Sequence, residues 1–260
     1  MSHPAVTALT PSLNGKIAFI TGAGAGFGRD FSRAFAEAGA AVAVTDVNLG
    51  AAEETARQIN AAGGRAVAAY CDVSSEESVK TAVDTIIEKL GGIDILINNA
   101  GRHLLKYNQP FSVLSTADVR ELFDVNVMGV IFCTLACKHS MRKRGGGAVV
   151  NIASIAAHLV PSPYGVSKLA VRGLTMAFAK ELSGDGIRVN AISPGLIATE
   201  SALAELPKEM MDAFRNEYQL IKRRGEMPDI TAAALFLCSA ASSFITGETL
   251  KVSGGYPLDI

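Results

Sequence analysis

The sequence predicts an α/β fold: a doubly wound, mostly parallel sheet of seven strands with helices on both faces. Three observations predict it. Short, nearly continuous apolar runs alternate with longer helix-patterned segments, glycines punctuate the joins, and the first apolar run leads straight into a glycine-rich turn. Unbroken apolar runs suit strands buried on both faces, as a parallel sheet requires. They occupy residues 16–21, 41–45, 66–70, 93–97, 148–152, 188–192 and 249–252. Helical patterning fills residues 28–38, 49–61, 76–90, 117–143, 162–182 and 229–241. Gly39, Gly63-Gly64, Gly91-Gly92 and Gly145 to Gly147 stand where helices must stop, since glycine adopts the backbone that ends a helix. Such strict βαβα alternation implies crossover connections over one sheet. A polar, helix-prone insertion at residues 199–224 breaks the rhythm; excursions of this kind beyond strand ends commonly cover a site. Without linker, repeat or low-complexity stretch, the chain reads as one domain over residues 14–260, preceded by a loose extension at residues 1–13.

Bulk properties narrow the function. The chain has 260 residues, of which 49% are hydrophobic and 19% charged, with a formal charge of -1. That suits one large domain with a sizeable core. It offers neither the basic footprint of a nucleic-acid binder nor an acidic tail. No apolar run approaches the ~18 residues that span a bilayer, and the start lacks the basic-then-apolar order of a secretory signal. Cys71, Cys133, Cys137 and Cys238 are scattered and read as reduced, buried residues. A metal at Cys133 and Cys137 would need further ligands that no recognisable spacing supplies. The expectation is a cytoplasmic protein without metal, nucleic acid or membrane among its partners.

The turn after the first strand runs Thr21-Gly22-Ala23-Gly24-Ala25-Gly26-Phe27-Gly28. Glycines there permit a tight turn and close approach of backbone to a pyrophosphate, and the following helix offers free N–H groups to the anion. The G-x-G-x-x-G pattern fits no frame; G-x-x-x-G-x-G does, through Gly22, Gly26 and Gly28. Its place between strand and helix favours a dinucleotide site of the Rossmann type over a bland glycine turn. Asp46 ends the second strand, where a carboxylate accepts hydrogen bonds from the adenosine ribose and repels a 2′-phosphate. No Lys or Arg stands at residues 23–27 or 46–50 to receive such a phosphate. NAD is therefore expected over NADP, with a helix N-cap as the competing role for Asp46.

Tyr164 and Lys168 stand four apart and share a helix face. A nearby ammonium favours the phenolate and lowers the phenol pKa, which would suit Tyr164 as general acid or base in an alcohol–ketone interconversion.

With these residues in place, residues 14–256 resemble the short-chain dehydrogenase/reductase (SDR) family. The resemblance rests on the glycine turn, Asp72-Val73 after the third strand and Asn98-Asn99-Ala100-Gly101 after the fourth. Asn126 in the next helix, Ser154 after the fifth strand, Tyr164-x-x-x-Lys168 and Pro194-Gly195 with Ile197 and Thr199 complete it. It implies an NAD-dependent oxidoreductase for a secondary alcohol or ketone. In that role Tyr164 exchanges a proton with the substrate oxygen, Lys168 lowers the phenol pKa and holds the nicotinamide ribose, Ser154 bonds the substrate oxygen, and Asn126 helps a water link Lys168 to solvent. It further implies cofactor contacts from Gly22, Gly26, Phe27, Gly28, Asp46, Val47, Asp72, Val73, Asn99, Ala100, Gly101, Pro194, Gly195, Ile197 and Thr199. The family's interface helices correspond to residues 117–143 and 162–182, which are more apolar than one sheet face needs, so a homo-oligomer, tetramer or dimer, is expected.

One departure stands out. Ser154 precedes Tyr164 by ten residues, about three fewer than is usual in the family, so its geometry is a hypothesis to test. The shortening falls within residues 155–163, which Pro161 and Pro163 stiffen, and predicts a trimmed wall and a more open pocket; Ser162 is the alternative serine. His103, His158, Leu159, Val160 and Leu196 are candidate substrate contacts, and with Leu104, Leu105 and Tyr107 they outline a partly apolar pocket; core or interface packing explains the apolar ones equally. Two other functions remain open. A non-catalytic dinucleotide sensor or scaffold uses the same fold, as does a related enzyme without net redox change.

Overall fold

The computed structural model describes residues 11–103, 105–160, 162–199, 203–204 and 206–258. Leu104, Pro161 and residues 1–10 of the expected extension lie outside them.

Seven strands form one sheet in the order β3-β2-β1-β4-β5-β6-β7. They are β1 (Ile17–Thr21), β2 (Ala41–Asp46), β3 (Arg65–Tyr70), β4 (Ile95–Asn98), β5 (Gly147–Ile152), β6 (Ile187–Pro194) and β7 (Thr249–Val252). Every pairing is parallel, so the sheet is wholly rather than mostly parallel. Alternation along β1 shows why its run is apolar throughout. Ala18 and Ile20 enter one core with Phe31, Phe35, Ile230 and Leu237. Ile17 and Phe19 enter the opposite core with Val79, Ile86, Cys133, Met141 and Phe178. Successive side chains point to opposite faces, and both faces are covered by helix.

The helices are α1 (Gly26–Glu37), α2 (Leu49–Ala61), α3 (Glu76–Leu90), α4 (Thr116–Phe123), α5 (Gly129–Lys143), α6 (Ala156–Leu159), α7 (Pro163–Glu181), α8 (Lys208–Ala213) and α9 (Met227–Cys238). Local chemistry sets their ends. The Ser75 hydroxyl accepts from the Ser78 amide at the start of α3, and Gly91 ends it at φ +94°. Ser162 caps α7 with Pro163 in its first turn, where the missing N–H is no loss.

Departures from the expected elements are instructive. The single helix expected over residues 117–143 is broken by one π turn, Asp124–Met128. A wide turn holds one extra residue and leaves the apolar periodicity nearly intact, so the sequence conceals it. Gly129 then lets α5 approach the loop after β3, since a Cβ there would lie 2.9 Å from Val73 Cγ2. A short 3₁₀ turn, Leu105–Asn108, and α6 occupy stretches too brief to show a period. The insertion holds α8 and a second π turn, Phe214–Tyr218.

All four cysteines are free and buried. Among the described residues no helix is long and apolar enough to cross a membrane. Strand order reverses between β1 and β4, and the carboxyl ends of β1, β4, β5 and β6 open on one crevice, the place where ligands bind in doubly wound sheets.

Candidate active site

The glycine turn forms one end of that crevice. Gly22 and Gly26 hold φ of +62° and +51°, a region open to glycine without strain. Gly28 is needed for space: its Cβ would stand 2.1 Å from Gly22 O. The turn is pinned from β4. Asn99 Nδ2 donates to the carbonyls of Thr21 (2.9 Å) and Gly22 (3.0 Å), while the Asn99 and Ala100 amides donate to Thr21 Oγ1. The Asn99 side chain thus holds the turn rather than reaching for a ligand.

Asp46 faces the same turn. Its Oδ2 accepts from the Gly24 amide at 2.9 Å and its Oδ1 from the Asn48 amide at 2.8 Å. The N-cap of α2 is Asn48, which accepts from Ala51, so capping does not account for Asp46. Gly24 had no part in the expected pattern, yet a Cβ there would lie 3.0 Å from Asp46 Oδ2.

At the other end, Tyr164 and Lys168 rise from α7 beneath Ser154. A cavity of about 400 Å³ joins them to the turn. Of the expected residues, Gly22, Gly26, Phe27, Asn99, Ala100, Gly101, His103, Ser154, Tyr164, Lys168, Pro194, Gly195, Leu196, Ile197 and Thr199 line it. Arg102, Asn108 and Leu206 join them unforeseen; Arg102 adjoins the Asn-Asn-Ala-Gly stretch, while Asn108 ends a 3₁₀ turn too short to show a period and Leu206 carries no motif.

Several expected residues stand elsewhere. Gly28, Asp46 and Asn126 support the wall without lining it. Val47 is exposed beyond the end of β2, and Val73 is buried against Gly129. Asp72 accepts from the Ser74 amide and hydroxyl and faces a separate groove beside Tyr70. His158, Leu159 and Val160 also lie outside the cavity lining. The His158 ring meets Ser193 Oγ at 3.3 Å. Burial, then Arg172 and Lys251, push its pKa down to about 4. Leu159 and Val160 turn to the surface, and Val160 holds φ +48°, an outlier for a β-branched residue.

The shortened segment keeps Ser154 in the cavity. Its Oγ accepts from the Ala156 amide at 3.1 Å and acts on the neighbouring Tyr164 phenol, lowering its pKa. Ser162, the alternative, is buried and engaged as the α7 cap, accepting from Gly165 and donating to Asn108. Lys168 Nζ donates to Ile152 O at 2.8 Å and stands 5.8 Å from the Tyr164 ring centroid. Burial brings the Lys168 pKa down to about 8. Burial also raises the Tyr164 pKa above its ordinary value, and the Ser154 side chain offsets part of that rise. In the protein alone burial dominates the Tyr164 pKa, and the expected lowering by Lys168 is not among the influences on it.

A family model described as "Enoyl-(Acyl carrier protein) reductase" matches residues 22–257. The 7alpha-hydroxysteroid dehydrogenase of Escherichia coli (strain K12) is 40% identical over 246 residues, 94% of each chain. This chain belongs to the short-chain dehydrogenase/reductase family. As an SDR it is an oxidoreductase. Galactitol 2-dehydrogenase (L-tagatose-forming) of Cereibacter sphaeroides is 38% identical over 253 residues, covering 94% of this chain and 96% of its own. Among solved SDR structures, a 7 alpha-hydroxysteroid dehydrogenase complexed with NADH and 7-oxo glycochenodeoxycholic acid superimposes with a TM-score of 0.89. The two share 38% identity and 98% of each chain is covered.

Proposed function

We propose that this SDR is an NAD-dependent oxidoreductase that interconverts a secondary alcohol and a ketone, with Tyr164 as the proton-transferring group. The observation that carries the reading is one cavity with the glycine turn at one end and Ser154, Tyr164 and Lys168 at the other.

The residues present fit the dinucleotide. Gly22 and Gly26 shape the turn and Gly28 keeps α1 close to it, so backbone N–H groups can meet a pyrophosphate. The Asp46 carboxylate, fixed by two amides, receives the adenosine ribose and disfavours a 2′-phosphate. Pro194, Gly195, Ile197 and Thr199 form the wall for the nicotinamide end. NAD supplies the hydride acceptor or donor when bound.

The chain's own part is orientation and proton transfer. Ser154 hydrogen-bonds the substrate oxygen and the Tyr164 hydroxyl together. Tyr164 takes the alcohol proton during oxidation and returns it during reduction. Lys168, anchored on Ile152 O, supplies positive charge that favours the phenolate, reinforced by the charge of oxidised nicotinamide. Asn126 braces the loop that closes the cavity. Leu105, Leu196 and Leu206 give the substrate end an apolar side. Named relatives act on a hydroxysteroid and on galactitol, both secondary alcohols, so the substrate here is a secondary alcohol bearing an apolar or hydroxylated frame.

Free, buried cysteines fit a reducing cytoplasmic setting. Leu135 on α5 with Leu169 and Met176 on α7 leave apolar surface for a second copy of the chain, which supports a homo-oligomer with residues 14–260 as its single catalytic domain.

Calorimetry with NADH and NADPH, followed by NADH production from a panel including glycochenodeoxycholic acid and galactitol, tests the reading. NADH should bind more tightly. Tyr164→Phe should lower turnover by about a thousandfold, the scale of general acid–base catalysis, with NADH affinity within about threefold of the parent. Undiminished turnover by Tyr164→Phe would refute the proton role, and tighter NADPH binding would refute the role of Asp46. NADH binding without turnover across the panel would favour the sensor.

A further inference from the structure

Ser167 has no part in the chemistry above, yet it is wholly buried beside Lys168. Its Oγ donates to Tyr164 O at 2.7 Å and accepts from Asn126 Nδ2 at 3.0 Å. The Asn126 carboxamide meets the backbone of Arg102 on both sides. Its Oδ1 accepts from Arg102 N at 2.7 Å, and its Nδ2 donates to Arg102 O at 3.0 Å. Both N–H groups of the amide are therefore engaged, one on the loop after β4 and one on α7.

We propose that Ser167 is a positioning residue: through Asn126 it sets the distance between the cavity loop at Gly101-Arg102 and the helix that carries Tyr164 and Lys168. A serine hydroxyl both donates and accepts, and both capacities are used here. Because Ser167 accepts, it dictates that the Asn126 nitrogen faces α7 and that the oxygen remains for the Arg102 amide. The spacing is tight, since a Cβ on Gly101 would stand 3.3 Å from Asn126 Oδ1 and 3.4 Å from Lys168 Nζ. Losing the hydroxyl leaves a buried N–H unpaired, and the amide then gains by turning or withdrawing from Arg102. The bridge spans three elements: the β4 loop, the π turn and α7.

The consequence for turnover rests on the function proposed above, whereas the bridge itself can be measured without any substrate. Hydrogen–deuterium exchange of the peptide containing Arg102 is compared in the parent, Ser167→Ala and Ser167→Cys. Exchange at Arg102 should accelerate at least about tenfold in Ser167→Ala, with Ser167→Cys between the two, since a thiol donates and accepts weakly. With NAD and whichever panel alcohol is turned over, kcat should fall about tenfold while the KM for NAD stays within about twofold. Added to Asn126→Ala, the substitution should cause little further loss, as expected of two residues in one network. Unchanged exchange at Arg102 in a folded variant overturns the proposal. So does a full additional loss on the Asn126→Ala background. If Ser167→Ala fails to fold, Ser167→Cys decides on the same exchange readout. Failure of the parent to turn over any alcohol counts against the proposed function alone.

Discussion

Substituting Gly28 by alanine adds a single methyl group, and its effect can be worked from distances. The new Cβ would lie 2.1 Å from Gly22 O and 2.7 Å from Asn99 Nδ2. Restoring ordinary contact with the carbonyl requires a separation of about 1.3 Å more, and overpacking of this kind costs about 1–3 kcal/mol. Neither neighbour yields freely. The Gly22 carbonyl belongs to the turn itself, and Asn99 Nδ2 is held by two carbonyls. For a chain of this size the loss corresponds to a fall in Tm of about 2–6 °C. Moving α1 outward also withdraws its first N–H groups from the anion position, so NADH should bind at least about tenfold more weakly, equivalent to about 1.4 kcal/mol. Differential scanning fluorimetry gives the first quantity and calorimetry the second. A Tm within about 1 °C of the parent together with NADH affinity within about twofold would refute the close-packing argument.

Other expectations follow from the same geometry. Lys168, drawn from 10.5 to about 8 by burial, binds fewer protons folded than unfolded between those values, so stability rises with pH across that window. Lys168→Met should thus be more stable than the parent near pH 7, by an amount on the order of 1–3 kcal/mol, and the gap should close towards pH 10.5. Urea midpoints at both ends measure this, and a pH-independent gap would count against burial as the cause. Asp46→Ala should weaken NADH binding about 10- to 100-fold, the range for a hydrogen bond to a charged group, and leave NADPH binding no weaker; equal losses for both cofactors would point to a purely structural carboxylate. Val160→Gly should stabilise the protein by about 1 kcal/mol, because φ +48° strains a β-branched residue, and an unchanged Tm would show the strain to be absorbed elsewhere.

Much of this architecture is legible in the chain because buried parallel strands must be apolar on both faces. The runs at residues 41–45 and 148–152 lie inside β2 and β5, while the order of the strands in the sheet comes from the structure. Tyr164 and Lys168 are readable because their spacing is helical, and Gly22, Gly26 and Gly28 because only glycine fits there. Elsewhere the signal is three-dimensional. Asp46 closes β2 and faces the turn, whereas Asp72 lies two residues past β3 and faces a separate groove, a difference set by how the chain bends after β3. His158 lies close to Ser154 in sequence, but one turn of helix carries its ring to β6. Asn126 is recognisable as a motif residue, while its partners Arg102 and Ser167 lie 24 and 41 positions away. The Tyr164 pKa depends on burial that no spacing reports.

The cavity residues ride on the ends of four separate strands, whereas Arg102, His103, Leu105 and Asn108 after β4 and Leu196, Ile197, Thr199 and Leu206 after β6 form its outer walls. Each strand end is held from below by sheet pairing that extends past β4 and β5 on either side. Rewriting an outer loop therefore leaves the proton-transfer group and the dinucleotide turn in register with each other. Such a division lets one scaffold diversify in what it recognises while the reaction itself is inherited unchanged. It also makes exchange of the 195–224 segment between relatives a direct route to new substrate ranges.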